Sequence, residues 1–479
     1  MTARQACPSA PGPLEAYAAK FDALFATLAQ RRGFREYLTG LLAPRDRNKT
    51  LTCLAGAEPV IGAQHAAVQR LQYFLSESAW DHERVNARRV QLLLADPATA
   101  PHAGGVLVID DSGDRKDGTA TAHVGNQWLG RYGKTDRGIV TVTTLWADER
   151  LYYPLHAVPY TPARHFPKGK TDPGFRTKLQ IGVELAVAAR EAGVVFRAVA
   201  ADCAYGDQDG FRADLRTAGL PFVMALQPRR GVWAYGDQAR TPVDAARDLA
   251  WGGPDQPGDW VAVTRTFRDE HTQTWWAADA CLGWWGPDGA TRLVVATADP
   301  ATLPEKATWY LATDLPRLGG PRAVDSPHRP ADLAEIVWIY GIRHWIEQGY
   351  KQVKDELGWA DFQVRSDIAI RRHQTLVNCA FCFCWDAWLA DQTPAQAAAP
   401  ISDPSAGERG PHAPRSTGTG VLASNHPQGP RLARSMDHIA ALLASLVGQA
   451  PTRRAASAPG CSRKWTVPGP LPPALTNYR

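Results

Sequence analysis

Apolar positions recur at helical spacing from Leu14 to about Ala95: Tyr17, Phe21, Leu24, Phe25 and Leu28, then Val68, Leu71, Phe74 and Leu75. Pro44 and Pro59 interrupt the pattern, which predicts several helices and not one. At Gly104 the texture changes. Gly105-Val-Leu-Val-Ile109 is a short continuous apolar run ending in Asp110-Asp111, as expected of a strand buried on both faces. Strands follow at 138–145, 196–202 and 221–226, with helices at about 178–192 and 210–218 between them. This succession predicts a mixed α/β sheet. Between 236 and 330 the polarity alternates and Trp and Thr abound, as in Trp260-Val-Ala-Val-Thr-Arg-Thr-Phe267, which predicts a β-rich insertion. Long helical periods return from Ala331 to Asp391. The expected organisation is a flexible start at 1–14, a helical N-terminal domain at 15–100, a core in two parts at 101–235 and 331–391 around the insertion at 236–330, and a low-complexity, largely disordered tail at 392–479.

Composition narrows the class. No apolar run reaches 18 residues in the 479, so no membrane partner is expected. No secretory apolar segment follows Met1, and a cytoplasmic location is expected. Eight cysteines in so long a chain read as free thiols, and Cys379-x2-Cys382-x-Cys384 sits in an apolar stretch that reads as core, not as a zinc site. The net charge is only +5, although 42 of the 53 cations are Arg, the residue that forks onto phosphates. Abundant Ala, Pro and Gly accompany that bias, as in a GC-rich genome, so composition alone says little about nucleic acid.

Three carboxylates carry the chemistry. Asp110 or Asp111 ends the first buried strand and Asp202 ends another; strand ends are where sheet-based sites collect ligands, although Asp there is commonly a turn or cap residue. The third lies in 339–357. At about 100° per residue, Tyr340, Arg343, Glu347 and Lys354 fall within an arc of roughly 60° on one helix. Ile339, Ile342, Ile346, Tyr350, Val353 and Leu357 form a separate apolar stripe beside it. An ordinary solvated face with an Arg343–Glu347 pair would explain the charges but not the tyrosine.

The spacing Tyr340-x2-Arg343-x3-Glu347-x6-Lys354 resembles the Y-(2)-R-(3)-E-(6)-K signature of bacterial insertion-sequence transposases of the DDE type. The segments 108–118 and Ala201-Asp-Cys-Ala-Tyr-Gly-Asp207 resemble the blocks around the first and second aspartates of the DDE superfamily endonuclease, or SRSO17-like, group, and Gln363-Val-Arg-Ser366 resembles a later block. The likeness runs from roughly Leu24 to Trp388 and stops at the tail. It implies an RNase H-like mixed-sheet core with a β-rich insertion, the 144 residues between Asp202 and Glu347 being far more than a compact core needs.

It also implies a DNA transposase that binds the inverted repeats of its element, cleaves the ends and joins their 3′-OH groups to target DNA. Two Mg²⁺ ions, which Mn²⁺ can replace, would sit about 3.5–4 Å apart on Asp110, Asp202 and Glu347, oxygen donors suited to hard ions. Asp111 is the alternative first aspartate; strand alternation and the Asp110-x-Ser112 pattern favour Asp110. Tyr340, Arg343, Lys354, Lys116 and Arg365 are the expected DNA contacts, and Arg45, Arg47 and Lys49 mark the N-terminal helices as the expected base reader. Trp284, Trp285, Trp309 and Trp338 are candidates for stacking on a flipped base, with core packing as the alternative. The expected partners are the terminal repeats, target DNA and a second copy of the chain on DNA, at the nucleoid. The rival readings are a DDE-fold nuclease that cuts without joining and an inactive DNA-binding relic or regulator.

Overall fold

The computed structural model describes residues 7, 9–10, 12–44, 47–57, 64–233, 239–267 and 271–390. The expected tail at 392–479 and the candidate Arg45 lie outside the described residues.

Five helices open the chain: α1 (Gly12–Ala19), α2 (Leu28–Leu42), α3 (Leu51–Leu54), α4 (Ala66–Ser76) and α5 (His82–Ala95). Thr27 and Gln30 form a capping box on α2, and Asp81 caps α5 through the amides of Glu83 and Arg84. Helix α1 begins inside the stretch expected to be a flexible start, because Leu14 and Tyr17 find a core to enter. Then come β1 (Val106–Arg115), β2 (Gly125–Leu129), β3 (Lys134–Ala147), β4 (Tyr152–Pro159), α6 (Lys178–Glu191), β5 (Ala198–Ala201), α7 (Cys203–Gly206), α8 (Asp209–Thr217) and β6 (Phe222–Ala225). The insertion contributes the two-stranded β7 (Val232–Trp233) and β8 (Ala239–Arg240), α9 (Pro242–Arg247), β9 (Val261–Thr266), β10 (Thr272–Ala280), β11 (Arg292–Thr297), β12 (Thr308–Thr313) and α10 (Arg322–Asp325). The described chain closes with α11 (Leu333–Gly341), α12 (His344–Asp355) and α13 (Asp367–Ala390).

One mixed sheet runs in the order β2-β3-β1-β5-β6-β12-β11-β10-β9, with β4 also paired to β3. Strand β1 is antiparallel to β3 and parallel to β5, and β5 is parallel to β6. Apart from the small β7–β8 ribbon, the strands of the insertion join this sheet. Strand β12 pairs antiparallel with β6, Leu311 opposite Ala225, so the otherwise open edge of β6 is covered and the sheet continues to β9.

Helix α13 is buried on nearly all sides from Ala369 to Trp388, as its lack of a polar face requires. The N-terminal helices wrap it within one continuous core that also takes in the sheet. Tyr17 donates to the Cys379 carbonyl at 3.1 Å, Tyr37 meets His373 at 2.8 Å, and Arg372 donates to the carbonyls of Leu75 and Trp80. Cys379, Cys382 and Cys384 are buried free thiols in this core, and burial pushes Cys379 and Cys384 up to about 12. No described helix is long and apolar enough to cross a membrane.

Candidate active site

The sheet register brings the first two acids level. Val108 lies beside Ala200 in the parallel β1–β5 pair, so two residues further on Asp110 and Asp202 stand next to each other. Strand β1 continues past Asp110, which faces Thr143 of β3. Asp202 leaves β5 as the N-cap of α7 and accepts from the Ala204 amide at 3.0 Å. The cap reading of Asp202 is therefore correct, and its second oxygen, Oδ2, is turned toward Arg343. Gly206 ends this turn against β6. A Cβ there would lie 1.9 Å from the Ala225 carbonyl oxygen, so only glycine fits.

Adjacent side chains on β1 point to opposite faces. Asp110 faces α12, whereas Asp111 reaches Lys178 of α6 at 3.1 Å. The apolar stripe of the 339–357 segment packs as expected, with Ile339, Ile342, Ile346, Val353 and Leu357 buried. The segment is nevertheless two helices, not one. Between α11 and α12 the amides of Arg343, Trp345 and Ile346 bond three residues back, which tightens the turn and shifts the angular phase of α12 relative to α11.

Arg343 occupies that tight turn and gathers the acids. Its Nη2 lies 3.4 Å from Asp110 and 3.7 Å from Asp202, and its Nη1 lies 2.7 Å from Glu347. Its Nε is buried with no acceptor among the described residues. Glu347 is on the solvent side of the cluster, with 64% of its side chain exposed. Beneath Asp110, the buried Tyr350 hydroxyl meets Thr143 at 2.5 Å.

Burial pushes the Asp110 carboxyl up, Arg343 pulls it back and the charges of Asp202 and Asp111 push again, leaving it at about 7. Burial opposes the charge of Arg343, yet Asp110, Tyr340, Asp202 and Glu347 outweigh it and hold the guanidinium protonated. The donor set suits a hard divalent ion, since all three acids offer only oxygens and the point they surround already demands positive charge. In this arrangement no group of three acidic, His or Cys side chains among the described residues is close enough to share an ion, because Arg343 stands between them.

Two acids from neighbouring strands and one from a later helix is the arrangement the sequence resemblance implies. The family model for the DDE superfamily endonuclease matches residues 20–279, more than half of the chain. The chain belongs to the DDE superfamily endonucleases. It is also 29% identical over 352 residues to a probable transposase for insertion sequence element IS701 from Microchaete diplosiphon, over 73% of this chain and 81% of that protein. The resemblance to insertion-sequence transposases of the DDE type therefore holds. The model match contains Asp110 and Asp202 and stops before Glu347.

Most of the other residues the sequence singles out have partners elsewhere in the protein. Lys354 lies within the protein, its ammonium 2.6 Å from Asp114 and 3.1 Å from the Gly113 carbonyl. Lys116 donates to the carbonyls of Ala360 and Phe362, both at 2.8 Å, and lies over the Phe362 ring; burial lowers it to about 8. Tyr340 is turned edge-on to Trp309 at 4.9 Å, and burial pushes its hydroxyl up to about 12. Arg365 is exposed beside the loop that leads into α13. Among the expected base readers, Lys49 is buried on the carbonyls of Leu41 and Ala43, and Arg47 donates to the Ala57 carbonyl. These cations cap backbone ends, a use their one-dimensional spacing does not reveal. Trp285 is core, Trp284 is exposed, and Trp338 donates to Glu149. Sequence reasoning misses the roles of Lys178 and Tyr350. Periodicity places Tyr350 in the apolar stripe, and nothing local to Lys178 points to Asp111.

Proposed function

We propose that this protein is an insertion-sequence transposase with an RNase H-like core, which binds the inverted repeats of its element, cleaves its ends by metal-dependent phosphodiester hydrolysis and joins them to target DNA. The observation that carries the reading is the convergence of Asp110, Asp202 and Glu347, drawn from three separate stretches of chain, on one guanidinium. The order β4-β3-β1-β5-β6, with β1, β5 and β6 parallel, supports the RNase H-like core.

In this reading Asp110, Asp202 and Glu347 would hold two Mg²⁺ ions, which would supply charge to activate the attacking oxygen and stabilise the leaving oxygen. Arg343 is the internal cation that keeps the acids together before loading. Its planar fork would also suit a phosphate beside the scissile bond. Asp111, held by Lys178 on the opposite face, ties β1 to α6 from behind. Two copies of the chain act together, one on each element end.

The test is incubation of the purified chain with duplexes carrying the flanking inverted repeats and Mg²⁺. Cleaved ends and joined products are expected. Cleavage without joining would leave a nuclease, and binding without cleavage a DNA-binding regulator.

The division of labour on β1 gives a second expected result. Asp110→Asn loses cleavage, whereas Asp111→Asn retains part of it, because only Asp110 faces Arg343 and Asp202. The reverse pattern in a Mg²⁺-dependent nicking assay would transfer the ligand role to Asp111.

Arg343 gives a third. Removing a unit positive charge within a few ångströms of three acids, as in Arg343→Gln, is expected to tighten Mn²⁺ binding by about tenfold or more in DNA-free protein. Calorimetric titration measures it; unchanged affinity would mean that the guanidinium does not contest the ion.

A further inference from the structure

Arg265, on the edge strand β9, has an environment that the chemistry above leaves unexplained. Its Cζ lies 4.1 Å from the ring centre of Phe267, 4.3 Å from that of Trp275 and 4.2 Å from that of Trp309. It forms no ion pair and no side-chain hydrogen bond with the described residues, whereas the buried Arg197, Arg292 and Arg372 each have a carboxylate or carbonyl. Burial lowers its pKa to about 10, with only the Tyr340 oxygen opposing the shift. A guanidinium packed against rings keeps its cation–π attraction and its stems, but the N–H groups at its edge still require acceptors.

The position of this box matters. Trp275 and Trp309 touch at 4.8 Å, Trp309 meets Tyr340 at 4.9 Å, and Tyr340 is three residues from Arg343. Arg265 is thus two side chains away from the acid cluster, on the sheet extension against which α11 packs. An anion that fits a planar fork is a carboxylate or a phosphate, and the described protein supplies no carboxylate.

We propose that Arg265, held in the Phe267–Trp275–Trp309 box, binds a backbone phosphodiester of the DNA strand that enters the Asp110, Asp202 and Glu347 cluster. The inference rests on the DNA-processing reading above and adds to it a role for the β insertion: a sequence-independent grip on the strand. The rings fix the guanidinium plane in advance, so little side-chain freedom is lost when the phosphate arrives.

The experiment uses the full chain, a labelled duplex from the DNA flanking the reading frame, and a random duplex of equal length. Binding is measured over a range of salt concentrations without divalent ions. Arg265→Gln, which keeps a planar group but no charge, is expected to lower the slope of log affinity against log salt by about one unit and to weaken both duplexes about tenfold. Its melting transition should remain that of the parent. A parental slope in folded Arg265→Gln would overturn the proposal and leave Arg265 as a packing residue. Should that variant fail to fold, Arg265→Lys decides: it is expected to keep the slope and lose affinity several-fold through loss of the fork, and parental affinity would overturn the proposal. If the parent binds neither duplex, the DNA-processing reading falls first and this inference with it.

Discussion

Asp202→Asn and Glu347→Gln are each expected to lower cleavage of end DNA by about a thousandfold or more, because a carboxamide keeps the shape of the ligand but not the charge that holds a divalent ion, and several kcal/mol of transition-state stabilisation are lost. Both side chains can lose their charge without disturbing the core. Asp202 is a cap whose Ala204 bond an amide oxygen can still accept, and Glu347 stands largely in solvent with Arg343 as its partner. Binding to end DNA and thermal melting should therefore stay near those of the parent. Residual cleavage close to the parental rate in either variant would remove that residue from the ligand set.

The second large effect is on stability. Lys354 and Asp114 are 7% and 6% exposed and 2.6 Å apart, and removing one member of a buried pair leaves the other charged and unsolvated. Lys354→Met is expected to lose about 3–5 kcal/mol of unfolding free energy, and Lys354→Met combined with Asp114→Leu to recover most of it. Urea denaturation of the two variants measures both. The alternative is the sequence-based expectation that Lys354 holds a phosphate. It requires the opposite outcome: parental stability in Lys354→Met, with a shallower salt dependence of DNA binding.

These two residues mark how far the linear pattern reaches. The Tyr340-x2-Arg343-x3-Glu347-x6-Lys354 spacing is legible because it is written in one segment, and so is its apolar stripe, whose burial depends only on local periodicity. What the spacing does not tell is which partner each side chain meets. Tyr340 packs on Trp309, and Lys354, about two turns beyond Glu347 on the same face of α12, reaches Asp114 further along β1, more than two hundred residues away in sequence, instead of the acid cluster.

By itself the sequence determined the alternation of strands and helices, the core character of Cys379, Cys382 and Cys384, and the family. Each is carried by local composition or by an uninterrupted motif. Only the tertiary structure decided that Asp110 and Asp202 stand level, that Arg343 binds the three acids together, that the insertion continues the main sheet, and which cations are consumed by backbone carbonyls. All of these depend on strand register and on pairings between residues far apart in the chain, and a one-residue slip of register would turn each side chain to the other face.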